Sequence, residues 1–200
     1  LNKSSPKIVI LAGPNGAGKT TAAPDLLQGA LSVNEFVNAD VIAQGLSGFA
    51  PEHVSFQAGR AMLERIHELA GKSIDFAFET TLASKSFRKM IISLKQSSNY
   101  QTHLIFLYLR SSKLALARVS DRVRMGGHKV SEEIVMRRYT RGLRNMFNIY
   151  IPIVDSWQIY DNSSDKEPLL VAKGSNSSVD LIALPEIWFS IKEKYDDVKE

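Results

Sequence analysis

The chain is 200 residues long, has no cysteine and carries a formal net charge of +4. That length allows one compact α/β domain burying roughly 70% of the surface its unfolded chain would expose, and the lack of cysteine excludes a disulfide scaffold and a thiolate zinc site. No apolar run reaches the ~20 residues of a membrane span, and the polar opening Leu1 to Pro6 lacks the apolar segment of a signal peptide, so a cytoplasmic protein without a membrane partner is expected.

In chain order, the apolar run Ile8 to Ala12 predicts a first strand. It runs into Gly13-Pro14-Asn15-Gly16-Ala17-Gly18-Lys19-Thr20, a complete G-x-x-x-x-G-K-[ST] phosphate-binding loop, with Thr21 opening the following helix. Its glycines let backbone N–H groups turn toward a β-phosphate, Lys19 neutralises β/γ charge, and the Thr20 hydroxyl is a magnesium ligand. ATP and Mg2+ are therefore the expected cofactors. Pro24 should kink the helix. A second strand is expected over Glu35 to Ala39, with Asp40 directly after it. Pro51 suits a first helical turn, and Ala58, Met62, Ile66 and Leu69 keep helical spacing up to Gly71. Ile74 to Phe78 reads as a strand that delivers Glu79-Thr80-Thr81 at its end, and Asp75 at its start is read as structural. After a strand over His103 to Leu109, Ser112 can cap a helix that Gly126-Gly127 ends, and Ser131 can cap the next. Strands over Gln158 to Tyr160 and Leu169 to Ala172 close the list, with surface turns at Asn162 to Lys166 and Ser175 to Ser178. Strands alternating with helices are the signature of an α/β fold. The expectation is a P-loop NTPase, a parallel sheet with helices on both faces in one domain over 1–200.

Motor ATPases and ABC proteins need a carboxylate at the end of a Walker B strand, but His103 to Leu109 runs out into Arg110-Ser111-Ser112. The chain has no N-K-x-D motif of a GTPase, and Leu46-Ser47-Gly48-Phe49 lacks the glycine an ABC signature needs. Small-molecule kinases remain, which require a base beside the acceptor hydroxyl, a substrate clamp and an arginine-bearing lid. Asp40 is the candidate base, since it should emerge at the carboxyl edge of the sheet beside the phosphate loop. Glu79, Thr80 and Thr81 suit hydrogen bonds to a polyhydroxylated ligand, and Glu79 has the alternative of an outer-shell magnesium contact. Eight of the eleven arginines fall between Arg110 and Arg144. With Gly126-Gly127 as hinge they suggest a lid over roughly 118–145. Glu133 can pair with Arg137, whereas Arg138 and Arg141 lack a carboxylate at helical spacing and suit an anion such as triphosphate. His128 either touches phosphate or fills the hairpin.

Taken together these segments resemble the zeta-toxin group of P-loop kinases, in particular its bacterial branch also labelled predicted ABC-type ATPases. The resemblance covers roughly residues 7–164 and rests on Gly13 to Thr21, Val37-Asn-Ala-Asp40, Phe78-Glu-Thr-Thr-Leu82, Leu107 to Ser112, Arg122-Val-Arg-Met-Gly-Gly-His128, Arg137-Arg-Tyr-Thr-Arg-Gly142, Asp155-Ser-Trp and Tyr160-Asp-Asn-Ser163. It implies transfer of the γ-phosphoryl group of ATP to a hydroxyl of a nucleotide-activated sugar such as UDP-N-acetylglucosamine. Asp40 would be the general base, Lys19 and Thr20 the ATP and magnesium residues, and Glu79 with Thr81 the substrate contacts. Arg124, His128, Arg138 and Arg141 would be the lid candidates, and an antitoxin protein is a possible partner. The chain departs from the well-known toxins in having Thr80 where they carry glycine. Alternatives that stay open are a kinase of NAD or of a polynucleotide 5′ end, and a nucleotide-dependent switch; nucleic acid is the less expected ligand.

Overall fold

The computed structural model describes residues 5–127 and 130–197. One seven-stranded sheet contains β1 (Lys7–Ala12), β2 (Glu35–Val37), β3 (Phe76–Thr80), β4 (Gln101–Tyr108), β5 (Ser156–Asp161), β6 (Leu169–Ser175) and β7 (Ser178–Ile182), in the spatial order β2-β3-β1-β4-β5-β6-β7. The first five run parallel, and β6 and β7 add an antiparallel hairpin. Helices α1 (Lys19–Ala23), α2 (Ala39–Leu46), α3 (Ser55–Gly71), α4 (Phe87–Ser98), α5 (Ser112–Arg124), α6 (Glu132–Asn145) and α7 (Pro185–Tyr195) flank it. Ile8, Val9, Ile10 and Leu11 are all fully buried. A strand without an exposed side is covered on both faces, which is why β1 reads as a continuous apolar run rather than an alternating one. This is a P-loop NTPase fold, with β1 feeding the phosphate loop between β3 and β4.

The differences from the expected boundaries have local causes. β2 stops at Val37 because Asn38 leaves the strand to cap α2, its Oδ1 accepting from the Asp40 N–H at 2.8 Å and the Val41 N–H at 3.3 Å. Asp40 thus sits in the first turn of α2. β3 starts at Phe76 because Asp75 accepts the Lys7 N–H at 2.8 Å. Ser111, not Ser112, caps α5, accepting from the Leu114 N–H at 3.1 Å. At Pro24 the α-helix ends and a π-helical segment, Pro24–Ala30, carries on, the local form of the expected kink. Pro51 opens a separate 3₁₀ turn, Pro51–Val54, ahead of α3.

The largest departure is at the carboxyl end of the chain. The expected surface turn Ser175 to Ser178 is the tip of the β6–β7 hairpin, with Asn176 in the left-handed region at φ 51. β7 is only five residues long and exposed over Ser178 to Leu181, so the short alternation of Val179 and Leu181 with Ser178 and Asp180 marks no buried face. The hairpin is fixed from beneath. Trp157 of β5 donates from Nε1 to the Asn176 carbonyl at 3.0 Å and stacks on Trp188 of α7 with ring centres 5.5 Å apart.

Candidate active site

The parallel strands deliver their carboxyl ends to one edge, where the loops after β1, β2 and β3 meet. The phosphate loop is tightly enclosed. A Cβ on Gly13 (φ 145) would lie 2.4 Å from the Leu107 carbonyl oxygen, and one on Gly18 (φ 78) 2.8 Å from Asn162 Nδ2. Only glycine combines those φ values with such close neighbours. Asn162 Nδ2 donates to the Ala17 carbonyl at 2.8 Å. Arg118 of α5 in turn donates to the carbonyls of Asn162, Ser163 and Ser164 at 2.7, 3.2 and 3.3 Å. Asn162, in an expected surface turn, and Arg118, in an expected lid, therefore brace the back of the loop.

Inside the loop, Lys19 Nζ donates to the carbonyls of Gly13 and Pro14 at 2.9 and 3.0 Å. The residue is only 6% exposed. Burial pushes its pKa down, and the carboxylates of Glu79 and Asp40 oppose that and favour the charge. Glu79 is the hub. Its Oε2 accepts from Thr20 Oγ1 at 2.8 Å and from Asn38 Nδ2 at 2.7 Å, and its Oε1 lies 3.5 Å from Lys19 Nζ. The acid missing after β4 is thus supplied by β3, the other neighbour of β1. Asn38 escaped the sequence reading although it serves two ends at once, capping α2 through Oδ1 and holding Glu79 through Nδ2. The adjacent Asp40 was its nearest signal.

A magnesium ion fits this donor set. Thr20 Oγ1 keeps lone pairs while it donates to Glu79, and among the described residues no group of three or more His, Cys, Asp or Glu side chains forms a cage. Thr20, phosphate oxygens and water held by Glu79 would supply the ligands, the arrangement magnesium favours with nucleotides.

A cavity of about 420 Å³ opens from the loop. Asn15, Lys19, Asn38, Asp40, Glu79, Thr80, Thr81 and Arg138 share its wall with the α3 face Ser55, Phe56, Gly59, Arg60 and Leu63. Asn15 Oδ1 is buried and has no hydrogen-bond partner among the described residues, so the wall offers an unused polar group. Thr80 Oγ1 accepts from the Leu82 N–H at 3.1 Å, and Thr81 Oγ1 from the Ala83 N–H at 3.5 Å. Both hydroxyls shape the loop as well as line the cavity. Leu82 is held at φ 55, a left-handed conformation that costs a non-glycine residue about 1–2 kcal/mol. Asn145 Nδ2 helps to hold it by donating to its carbonyl at 2.7 Å.

The arginine segment is anchored to the rest of the chain at several points. Gly126, at φ 88, donates its N–H to the Val123 carbonyl at 3.0 Å, and Gly127 to the Arg122 carbonyl at 2.9 Å. That pair of bonds is a Schellman stop for α5. α6 is docked through Tyr139 Oη, which donates to the Leu109 carbonyl at 2.7 Å, through Asn145, and through Gly142, where a Cβ would meet the Thr81 carbonyl oxygen at 2.4 Å. This seating sends Arg138 to the cavity and leaves Arg137, Arg141 and Arg144 exposed. Arg124 is exposed and bonded to Asp121. No ion pair joins Glu133 to Arg137 among the described residues, and His128 lies outside them. A second cavity, about 450 Å³, joins Thr20, Asn38 and Asp40 to Arg122, Gly126 and Gly127. A third, about 580 Å³, lies behind the loop between Gly18, Thr21, Tyr160 and Asn162.

A family model described as an AAA domain, AAA_33, matches residues 8–144. An uncharacterized protein of Haemophilus influenzae is 30% identical over 133 residues, covering 66% of this chain and 92% of that protein. Among solved structures, a chain of the AvrRxo1-ORF1:-ORF2 complex crystallised with ATP shares the fold with a TM-score of 0.77 at 15% identity, over 99% of this chain and 66% of that one. The PezAT chromosomal toxin-antitoxin system of Streptococcus pneumoniae gives a TM-score of 0.66 at 16% identity, over 100% of this chain and 82% of the other. The chain therefore spans just under two thirds of the AvrRxo1 chain it matches.

Proposed function

Because this chain belongs to the AAA domain family AAA_33, whose model spans residues 8–144, we propose that its phosphate loop serves phosphoryl transfer from ATP to the hydroxyl of a nucleotide-activated sugar such as UDP-N-acetylglucosamine. One observation carries the reading: Lys19, Asp40 and Arg138 line a single cavity with Asn15 and Glu79. The wall beyond Asp40, formed by Thr80, Thr81 and α3, leaves room for an acceptor beside the nucleotide. The likeness of fold to a complex crystallised with ATP and to a toxin-antitoxin system supports ATP as donor and an antitoxin protein as partner. Among the described residues no helix is long and apolar enough to cross a membrane, and a cytoplasmic setting is part of the proposal.

In this reading Gly13 to Thr21 bind the triphosphate, with Lys19 leaving its loop carbonyls for the β/γ oxygens, and the base enters the cavity behind Gly18 and Thr21. The acceptor lies against Thr80, Thr81 and Glu79 with its hydroxyl at Asp40. The new bond forms between that oxygen and the γ-phosphorus as the γ-phosphorus to β-oxygen bond breaks. The hydroxyl proton passes to an Asp40 carboxylate oxygen and ADP leaves. Arg138 faces the charge that develops on the transferring group, with exposed Arg141 as its second, and Arg124 and His128 belong to the segment that would close over the acceptor. Magnesium, bound with ATP, would neutralise charge between the β- and γ-phosphates. Thr20 would be its protein ligand and Glu79 would orient its water.

The test is incubation with labelled ATP and, separately, sugar nucleotides, NAD and oligonucleotides, followed by product analysis. Asp40→Asn keeps the side chain's size but takes no proton. It should bind ATP normally and lose about 10² to 10⁴ in transfer rate under single-turnover conditions. Wild-type transfer by this variant would remove Asp40 from its role, and transfer to oligonucleotides alone would replace the sugar acceptor.

A further inference from the structure

The helix α3 presents two faces to the rest of the molecule, and the core uses one of them. Ala58, Met62, Ile66 and Leu69 are buried. Ser55, Phe56, Gly59, Arg60 and Leu63 follow a second stripe at i, i+1, i+4, i+5 and i+8, and all five line the 420 Å³ cavity. On this stripe Phe56 is 78% exposed. Gly59, in mid-helix, has nothing within 4 Å of where its Cβ would be. Glycine there weakens a helix by about 1 kcal/mol relative to alanine, and what it leaves is open space beside the cavity. Arg60 makes no hydrogen bond or ion pair among the described residues. Its helical neighbour Glu64 leaves it unmatched, whereas Arg65 on the same helix is bonded to Glu35 and Glu68 at 2.8 and 2.7 Å.

The position of α3 decides whose anion Arg60 would meet. α3 packs on α2 and β2, and β2 lies two strands from β1 in the sheet, about 10 Å away at the usual strand spacing. The phosphate loop and its triphosphate belong to β1. Asp40, on α2, stands at the boundary. Arg60 therefore approaches the cavity from the α2–α3 side, across it from the phosphate loop.

We propose that Arg60, beside the gap at Gly59 and the ring of Phe56, reads a phosphate group carried by the acceptor itself, so that this residue sets the preference for phosphorylated acceptors over neutral ones. The proposal rests on the phosphotransferase reading above and deepens it. A guanidinium matches phosphate oxygens in a bidentate fork, and an aromatic face suits a stacked ring. Arg60 is a specificity residue and touches no reacting atom.

The test saturates the protein with magnesium and the non-hydrolysable ATP analogue AMP-PNP, so that the phosphate loop is filled, and then titrates UDP or uridine by calorimetry. The wild type should bind UDP at least tenfold more tightly than uridine. Arg60→Ala should lose at least tenfold in UDP affinity with AMP-PNP affinity unchanged, Arg60→Lys should recover part of it, and Gly59→Leu should block UDP without lowering the melting temperature. Arg144→Ala, on the exposed face of α6, is the control and should match the wild type. No UDP binding to the AMP-PNP complex, or equal UDP affinity in wild type and Arg60→Ala, would overturn the proposal while leaving the donor site intact. Failure of the wild type to bind AMP-PNP would instead remove the phosphate-loop reading and this one with it.

Discussion

Burial lowers the pKa of Lys19, and the carboxylates of Glu79 and Asp40 work against that shift. Methionine has similar length and no charge. Lys19→Met should therefore lose ATP binding in a nucleotide titration while its thermal midpoint stays at or above that of the wild type, since Glu79 keeps its bonds from Thr20 and Asn38. Unchanged ATP affinity would dismiss the phosphate loop as a binding site. Glu79 poses a sharper choice between metal and acceptor. If it orients magnesium-bound water, Glu79→Gln should raise the magnesium concentration for half-maximal turnover by about 10-fold to 100-fold, the usual cost of losing such an outer contact. If it holds the acceptor, the acceptor KM should rise and the magnesium response should not move. Asp40 and Glu79 were legible in the sequence because each follows an apolar run that leads to the carboxyl edge of the sheet. Asn38 was not, because its partner Glu79 is 41 residues away and its capping role masks the other.

At the level of the element, α6 shows what spacing along a helix leaves undecided. Arg138 and Arg141 look alike in sequence, and tertiary seating by Tyr139, Gly142 and Asn145 turns only Arg138 to the cavity. Gly142→Ala should unseat the helix, because the added methyl meets the Thr81 carbonyl oxygen at 2.4 Å. Overpacking of this kind costs about 1–3 kcal/mol, roughly a 2 to 12 °C lower midpoint for a chain of this size. A midpoint equal to the wild type's would mean that α6 is not held at this point. Arg138→Ala should slow single-turnover transfer at least tenfold with ATP affinity little changed, the pattern of a contact made chiefly in the transition state. Arg141→Ala and Arg144→Ala measured beside it rank the stripe, and a larger loss in Arg141→Ala would show that α6 rotates when ligands bind. The β6–β7 hairpin makes the same point for strands. The tight turn was visible in Ser175 to Ser178, but the alternation in β7 spans only Ser178 to Leu181, too short a run to mark a strand.

The whole molecule has a second, opposite edge whose chemistry is acid sensitivity. His103 of β4 shares a hydrogen bond of 2.6 Å with Ser156 Oγ, and burial holds its pKa below the ordinary histidine value of about 6.5. The unfolded chain therefore takes up this proton first, so the contribution to stability is complete above about pH 6.5 and declines as pH falls toward the folded value. Asp155 acts in a lower window. Burial would raise its carboxyl, but hydrogen bonds from Lys95 and Thr102 outweigh that and hold it low, so its contribution is lost only as pH falls through that lowered value. Thermal midpoints measured from pH 8 to pH 3 should fall in two stages. His103→Gln, able to keep the bond to Ser156, should flatten the upper stage alone; an unchanged upper stage would assign it to another group.

The brace between Asn162 and Ala17 also acts on the order of events during synthesis. The two residues are 145 positions apart, and at about 5–20 residues per second the second follows the first by roughly 7 to 29 s. Until then the back of the phosphate loop lacks both Asn162 and the carbonyls that hold Arg118. A nascent chain thus carries the phosphate-loop signature before it carries the residues that complete the cradle. Nucleotide binding by the loop is thus expected to lag the synthesis of the loop itself by that interval.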